Sequence, residues 1–318
     1  MSVQIAASWL AAACLCSLAS APADEPPEKS VTVARPFLWK IEPRTEDGQP
    51  SWLFGTIHVP DKSITTLHPA AQAAFDSADA AYFEVDFLKD QAEQAKAVSL
   101  PDGERLEDLV DAELVDRLDA RLKKISPLFS RGALPSVHVV VWPLLLGNLE
   151  AQVRSLGEPP LDLALYFAAQ QAGKTIGGLE KPGEQLVKLI EMPLDDQIKF
   201  LEASLDGMDA DDEAGIPRLK QTMEKYASGD PKEFDDFMQS EMERIDLPEE
   251  LTDRILTALL SDRNQRMAAS IDALMKDSKD TTSFFAVGVA HLTGEDSVQD
   301  FLRKKGYQVT GPHAELDE

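Results

Sequence analysis

From Phe37 onward, short apolar runs alternate with longer stretches of helical periodicity. Phe37-Leu38-Trp39-Lys40-Ile41 and Ser51-Trp52-Leu53-Phe54 flank a polar turn containing Asp47-Gly48, which predicts a β-hairpin. Its second strand runs directly into Gly55-Thr56-Ile57-His58. Pro69 to Ala80 is Ala-rich and reads as a helix, after which Ala81 to Phe87 turns aromatic and β-branched. That pattern predicts a strand with two carboxylates, Glu84 and Asp86, near its end. Leu106, Leu109, Val110, Leu114, Val115, Leu118 and Leu122 recur at helical spacing, and Lys123-Lys124 suit the negative end of a helix dipole. A more apolar helical block covers about 136 to 155.

Pro159-Pro160 precedes a helix from Leu161 to Ala172, and Gly173 ends it before a short strand around Thr175-Ile176. Residues 184 to 276 are helical in pattern throughout, broken by an acidic stretch from Asp206 to Asp212 and by Gly229-Asp230-Pro231. Ser283 to Val287 reads as a buried strand, Glu295 to Lys305 as a helix, and Tyr307-Gln308-Val309 as a last strand. These elements predict an α/β fold: a central β-sheet with flanking helices and a long helical insert or lid at about 184–276. One domain spans 36–310, after a flexible leader at 24–35 and before a disordered tail at 311–318.

The first 23 residues lack charged side chains, carry an apolar stretch from Ile5 to Leu18, and end in Ala21-Pro22-Ala23. This is the pattern of a secretory signal peptide cut before Asp24, and it predicts a secreted or periplasmic protein. A lipoprotein anchored through Cys14 is the alternative, although Ala11-Ala12-Ala13 suits that signal poorly. Cys14 and Cys16 are the only cysteines, so the remaining chain has no thiol for a disulfide or a metal. The longest later apolar run, Val137 to Leu149, contains Pro143 and is too short to span a bilayer. A net charge of −25 repels phosphate backbones, which argues against nucleic acid as a partner and is read here as a solubility device.

One internal echo carries chemistry. SWLFGTIHVP and SFFAVGVAHLTG each run serine, an aromatic-rich strand, Gly-x-x-His and an aliphatic residue. A histidine just past the carboxyl end of a buried strand sits where open α/β sheets place ligands, and Gly55 and Gly288 remove side chains that would crowd it. Two imidazoles, His58 and His291, with one carboxylate make a set suited to Mn²⁺, Co²⁺, Zn²⁺ or Fe²⁺. Glu84 is the first choice for that carboxylate and Asp86 the alternate, because a strand period of two points both the same way.

Several motifs in order, spread over most of the chain, resemble the TraB/GumN family and within it the Tiki metalloproteases. They are the Phe37-Leu38-Trp39 opening, GTIHVP at 55–60, YFEVD at 82–86, PPLDLAL at 159–165, GGLEKPGEQ at 177–185, RNQRMA at 263–268, and FFAVGVAHLTGEDSVQDFLRKKGYQV at 284–309. The resemblance implies an α/β fold related to erythromycin-esterase and ChaN-like proteins. It also implies peptidase activity that depends on a divalent metal, Mn²⁺ or Co²⁺ in preference to Zn²⁺ or Fe²⁺. In that family the two Gly-x-x-His motifs and the strand glutamate are the expected active-site residues, here His58, His291 and Glu84. Animal Tikis clip Wnt proteins and are membrane-anchored. The present sequence ends soon after Val309 without a hydrophobic anchor, which argues for another substrate.

Glu84 is thus expected either to bind the metal or to act as general base. Arg263 is a candidate for stabilising an oxyanion by charge, with a plain ion pair as its bland alternative, and Asn264 for orienting Arg263 or the attacking water. Glu180, at a strand end, is a candidate supporting residue. Asp162 reads as a carboxylate stabilising a helix N-terminus. His68 reads as a loop residue, His138 as a satisfied core histidine and His313 as part of the tail. The leading expectation is an exported metal-dependent hydrolase acting on a peptide or protein. A metal-free esterase with a histidine base, and a non-catalytic metal- or ligand-binding protein, are the alternatives.

Overall fold

In the computed structural model, which describes residues 33–312 apart from 90, 134–135 and 155–158, six strands form one mixed sheet in the order β4-β3-β5-β2-β1-β6. The opening hairpin is present: β1 (Leu38–Glu42) and β2 (Ser51–Thr56) pair antiparallel with Leu38 opposite Phe54. β5 (Ser283–Gly288) lies parallel between β2 and β3 (Ala80–Phe83), and β4 (Thr175–Gly178) extends the parallel part past β3. β6 (Gln308–Thr310) pairs antiparallel with β1 at the far edge. A strand covered on both faces must be apolar throughout, and β5 has the required Phe-Phe-Ala-Val centre. Phe284 packs there against Phe54 and Phe75 at ring-centroid distances of 5.4 and 5.3 Å. The expected signal segment, most of the leader, and the tail from His313 fall outside the described residues.

α1 (Lys62–Thr65) and α2 (Pro69–Ser77) join β2 to β3. His68, expected in a loop, caps α2 by accepting the Ala70 amide on Nδ1. Between β3 and β4 come α3 (Gln91–Val98), α4 (Leu106–Leu109), α5 (Ala112–Ile125), α6 (Val141–Arg154) and α7 (Leu161–Gln171). The helix expected from Leu106 to Leu122 is therefore two helices. Asp111 interrupts it, accepting the Leu114 amide at 2.8 Å as the N-cap of α5. The apolar spacing hid that break because Val110 stays buried through it.

Between β4 and β5 lie α8 (Val187–Ile190), α9 (Leu194–Ala214), α10 (Arg218–Ser228), α11 (Pro231–Arg244), α12 (Glu249–Leu256), a π-helical turn (Thr257–Ser261) and α13 (Asp262–Asp277). α14 (Val298–Lys304) precedes β6. The expected insert at 184–276 is helical, but its helices divide between two apolar cores. Tyr226 of α10, Phe234 of α11 and Met267 of α13 belong to the sheet core. Leu201 of α9 and Ile255 of α12 instead join Leu118 of α5 and Leu146 of α6 in a second, all-helical core. That second core draws on chain both before and after β4. Among the described residues no helix is long and apolar enough to cross a membrane.

Candidate metal centre

The two histidine motifs meet because β2 and β5 are parallel neighbours, with Thr56 opposite Gly288. The register is offset by one residue, since Gly55 faces Val287. The matched motifs consequently end in unmatched surroundings. His291 lies in a 3₁₀ turn (Val289–Leu292) and is 4% exposed, whereas the side chain of His58 is 51% exposed to a cleft. Gly288 admits the close approach expected of it, since its amide donates to Glu84 Oε1 at 2.7 Å and an added Cβ would lie 3.0 Å from that oxygen. Gly55 serves packing, because a Cβ there would meet Phe37 at 2.8 Å. The carbonyl of Gly55 accepts the buried Tyr226 hydroxyl at 2.8 Å.

Glu84 follows the end of β3 and points its carboxylate toward His291, with Oε1 at 3.7 Å from Nε2. Asp86 does not share that position. The strand expected to reach Phe87 stops at Phe83, and the chain bends, so the period of two no longer applies. Asp86 instead accepts the Tyr166 hydroxyl at 2.6 Å and the Lys89 amide at 3.2 Å. It is held outside the site by these bonds.

Each histidine has its Nδ1 engaged. His291 Nδ1 lies 2.6 Å from Asn264 Oδ1, and Asn264 Nδ2 donates to the Asp296 carbonyl at 2.9 Å. That second bond fixes the amide with its oxygen toward the ring, so Nδ1 carries the proton and Nε2 keeps a lone pair toward Glu84. Burial pushes His291 down to about 4, which keeps it neutral. His58 Nδ1 is 3.1 Å from Asp162 Oδ2. The Asp162 carboxylate raises His58 to about 9 against the cost of burial. Asp162 is 5% exposed, and its Oδ1 is buried without a partner.

Asp162 also stands in the first turn of α7, where the helix dipole favours an anion. The reading as a helix-end carboxylate was therefore incomplete, because the same group orients a histidine. One signal could have found it: a single acid in the otherwise apolar PPLDLALYF.

Arg263, from the first turn of α13, is 8% exposed and lies between two carboxylates. It donates from Nη2 to Glu84 Oε2, and from Nε and Nη2 to Glu180 Oε2 at 2.9 and 2.7 Å. Glu180 is fully buried and also accepts Arg266 Nη2 on Oε1 at 3.1 Å. Arg266 was missed by sequence reasoning, though it shares the RNQRMA segment. Arg263 is thereby a buried ion-pair partner, and Asn264 orients His291 rather than Arg263. Burial would raise the Glu84 carboxyl, but Arg263, His291, His58 and the Gly288 amide hold it well below the usual carboxylate range.

These donors suit a divalent cation. Both imidazoles have Nδ1 committed to an oxygen and Nε2 left for a metal, the arrangement that outer partners impose at metal sites. Each Glu84 oxygen accepts one hydrogen bond and retains a further lone pair. Among the described residues, no three His, Cys, Asp or Glu side chains already form a ligand set. The site opens into a cleft of about 270 Å³ lined by His58, Glu84, Asp162 and Arg263 on the sheet side.

A model of the TraB/PrgY/gumN family matches residues 37–311, which takes in the whole sheet and every residue of this site. The chain belongs to that family. The sequence is 30% identical over 314 residues to the metalloprotease TIKI2 of Danio rerio, covering 86% of this chain and 60% of that protein. To the metalloprotease TIKI1 of Homo sapiens it is 29% identical over 314 residues, covering 86% and 61%. A metalloprotease TIKI homolog of Nematostella vectensis is 25% identical over 328 residues, covering 90% and 68%. The chain thus spans about three fifths of the length of the first two relatives. No solved structure matches it.

Proposed function

We propose that this family member is an exported, divalent-metal-dependent hydrolase that cleaves peptide bonds. The observation that carries the reading is the pair of engaged Nδ1 atoms, Asn264 on His291 and Asp162 on His58, which reserves both Nε2 atoms for a cation. The metalloprotease names of its relatives agree with it. His58, Glu84 and His291 would hold the ion. His291 and Glu84 are already adjacent, and His58, held through Nδ1 by Asp162, lines the same cleft as Glu84.

A bound divalent ion supplies Lewis acidity toward a carbonyl and lowers the pKa of water. The protein residues do the rest. Glu84 has both oxygens tied to donors, which favours the role of ligand over that of base. Arg263 keeps the Glu84 carboxylate charged and fixed, and Glu180 fixes Arg263. Mn²⁺ and Co²⁺ are the metals the resemblance favours.

The test is metal analysis of the purified protein followed by assay on a mixed peptide library, before and after chelation and after restoring Mn²⁺ or Co²⁺. Cleavage that is lost on chelation and restored by metal is the expected result. Unchanged metal content and unchanged cleavage in the His58→Ala, His291→Ala double variant would end this reading. Fractionation of the native host would locate the protein, and finding it in the cytoplasm would remove the word exported.

A further inference from the structure

The cleft does not end at the metal centre. Its far wall is α6, whose residues face it in two i, i+4 ridges: Val141, Leu145 and Leu149 on one, Leu144, Asn148 and Gln152 on the other. The first ridge is wholly apolar, and the second turns from an aliphatic side chain to amides. Leu186 and the π-turn residue Leu259 extend this apolar wall, and Phe83, Phe87 and Leu163 add further apolar lining. Leu145 and Leu149 belong to the helical core, so the second core supplies one wall of the cleft while the sheet supplies the chemistry on the other.

We infer that this wall is a side-chain subsite, continuous with the metal centre, that takes a large uncharged apolar side chain beside the bond to be cut. The inference rests on the peptide-hydrolase reading for its substrate. Two observations choose the occupant. The first is continuity, because one cavity contains both His58 and Leu145. A chain whose backbone passes the histidines must put a neighbouring side chain against α6. The second is charge. The cleft's acidic side chains are Glu84 and Asp162, and its Arg263 is already paired with two carboxylates. An acidic side chain would find repulsion there and no open partner. A volume of about 270 Å³ is near the low end for ligand pockets, which suits one or two side chains of an extended segment. Burying Leu or Phe in place of Ala corresponds to about ten-fold or more in affinity.

The experiment uses the full chain with methyl-labelled Leu and Val, and capped tripeptides acetyl-Gly-X-Gly-amide with X as Ala, Leu, Phe or Glu. Binding is read from methyl NMR shifts with and without Mn²⁺-free Zn²⁺ as a diamagnetic metal, and cleavage of longer X-containing peptides is read by mass spectrometry. Leu and Phe peptides are expected to move the Leu144, Leu145 and Leu259 methyls and to bind at least ten-fold more tightly than Ala or Glu peptides. The Leu144→Gln variant, altered at a partly exposed wall position, is expected to lose that preference while its melting curve stays cooperative. Preference in binding without any cleavage would uphold the subsite and sink the hydrolase reading. Cleavage with no preference at X, or shifts confined to other parts of the protein, would overturn the subsite and leave the hydrolase reading intact. Neither binding nor cleavage of any peptide would overturn both.

Discussion

Asp162 grips Nδ1 of His58 at 3.1 Å from the first turn of α7, and its other oxygen is buried without a partner. It positions the more exposed of the two histidines, which otherwise would be free to turn in the cleft.

Removing that grip should weaken metal binding. Asp162→Ala is expected to lower divalent-metal affinity by about 10- to 100-fold, the usual cost of losing an outer partner. Asp162→Asn keeps an acceptor for Nδ1 and should cost less. Competition against a fluorescent chelator measures both, and equal affinity in the wild type and Asp162→Ala would refute the assignment.

Asn264 sets the tautomer of the other histidine. In Asn264→Ala, His291 loses its Nδ1 acceptor, so the two neutral tautomers should become mixed. Ring nitrogen chemical shifts would report this directly in the metal-free protein. A wild-type ring protonated on Nε2 would contradict the role given to Asn264.

Glu180 is the keystone of a buried charge cluster, with Arg263 and Arg266 both donating to it. Deleting one side of a buried ion pair leaves the other uncompensated, so Glu180→Ala should lose about 3–5 kcal/mol of stability. Urea denaturation monitors the loss. The double variant Glu180→Ala, Arg263→Met should recover part of it, whereas additive losses would argue that the two groups do not depend on each other.

The histidines should respond to pH in opposite ways. In the metal-free protein His58 is raised to about 9 and His291 lowered to about 4. At pH 7 the first is therefore protonated and the second neutral. The raised His58 pKa contributes stability fully below the ordinary value near 6.5, and that contribution is lost as pH climbs through about 9. Water in the cleft screens part of it, because the ring is half exposed. A metal must displace the His58 proton, so binding at pH 7 should release about one proton. Calorimetry in buffers of different ionisation enthalpy counts it; release near zero would show His58 to be neutral or not a ligand.

The β2 and β5 motifs were legible because a buried strand followed by Gly-x-x-His needs little tertiary context to place its histidine. Neither their parallel pairing nor its one-residue offset could be read from the pattern. Glu84 and Asp86 could not be separated by pattern, since the strand stops at Phe83 and Asp86 turns to Tyr166, a partner 80 residues away. Asp162 was read by its local helix position, which is correct and insufficient. The wall of α6 was invisible for a related reason: its leucines look like ordinary core, and only docking against the sheet turns one side of them toward a cleft. Arg263 was read as an oxyanion stabiliser or an ion-pair partner; it does line the cleft, and Glu180, distant in sequence and wholly buried, engages it from the other side.

The contact of Thr56 with Gly288 joins the two ends of the folded chain. Closing so long a loop is among the last steps available to a growing polypeptide. Nearly the whole chain must therefore be synthesised before His291 can come within 3.7 Å of Glu84, so the pairing of these two side chains reports that both ends of the fold are in place.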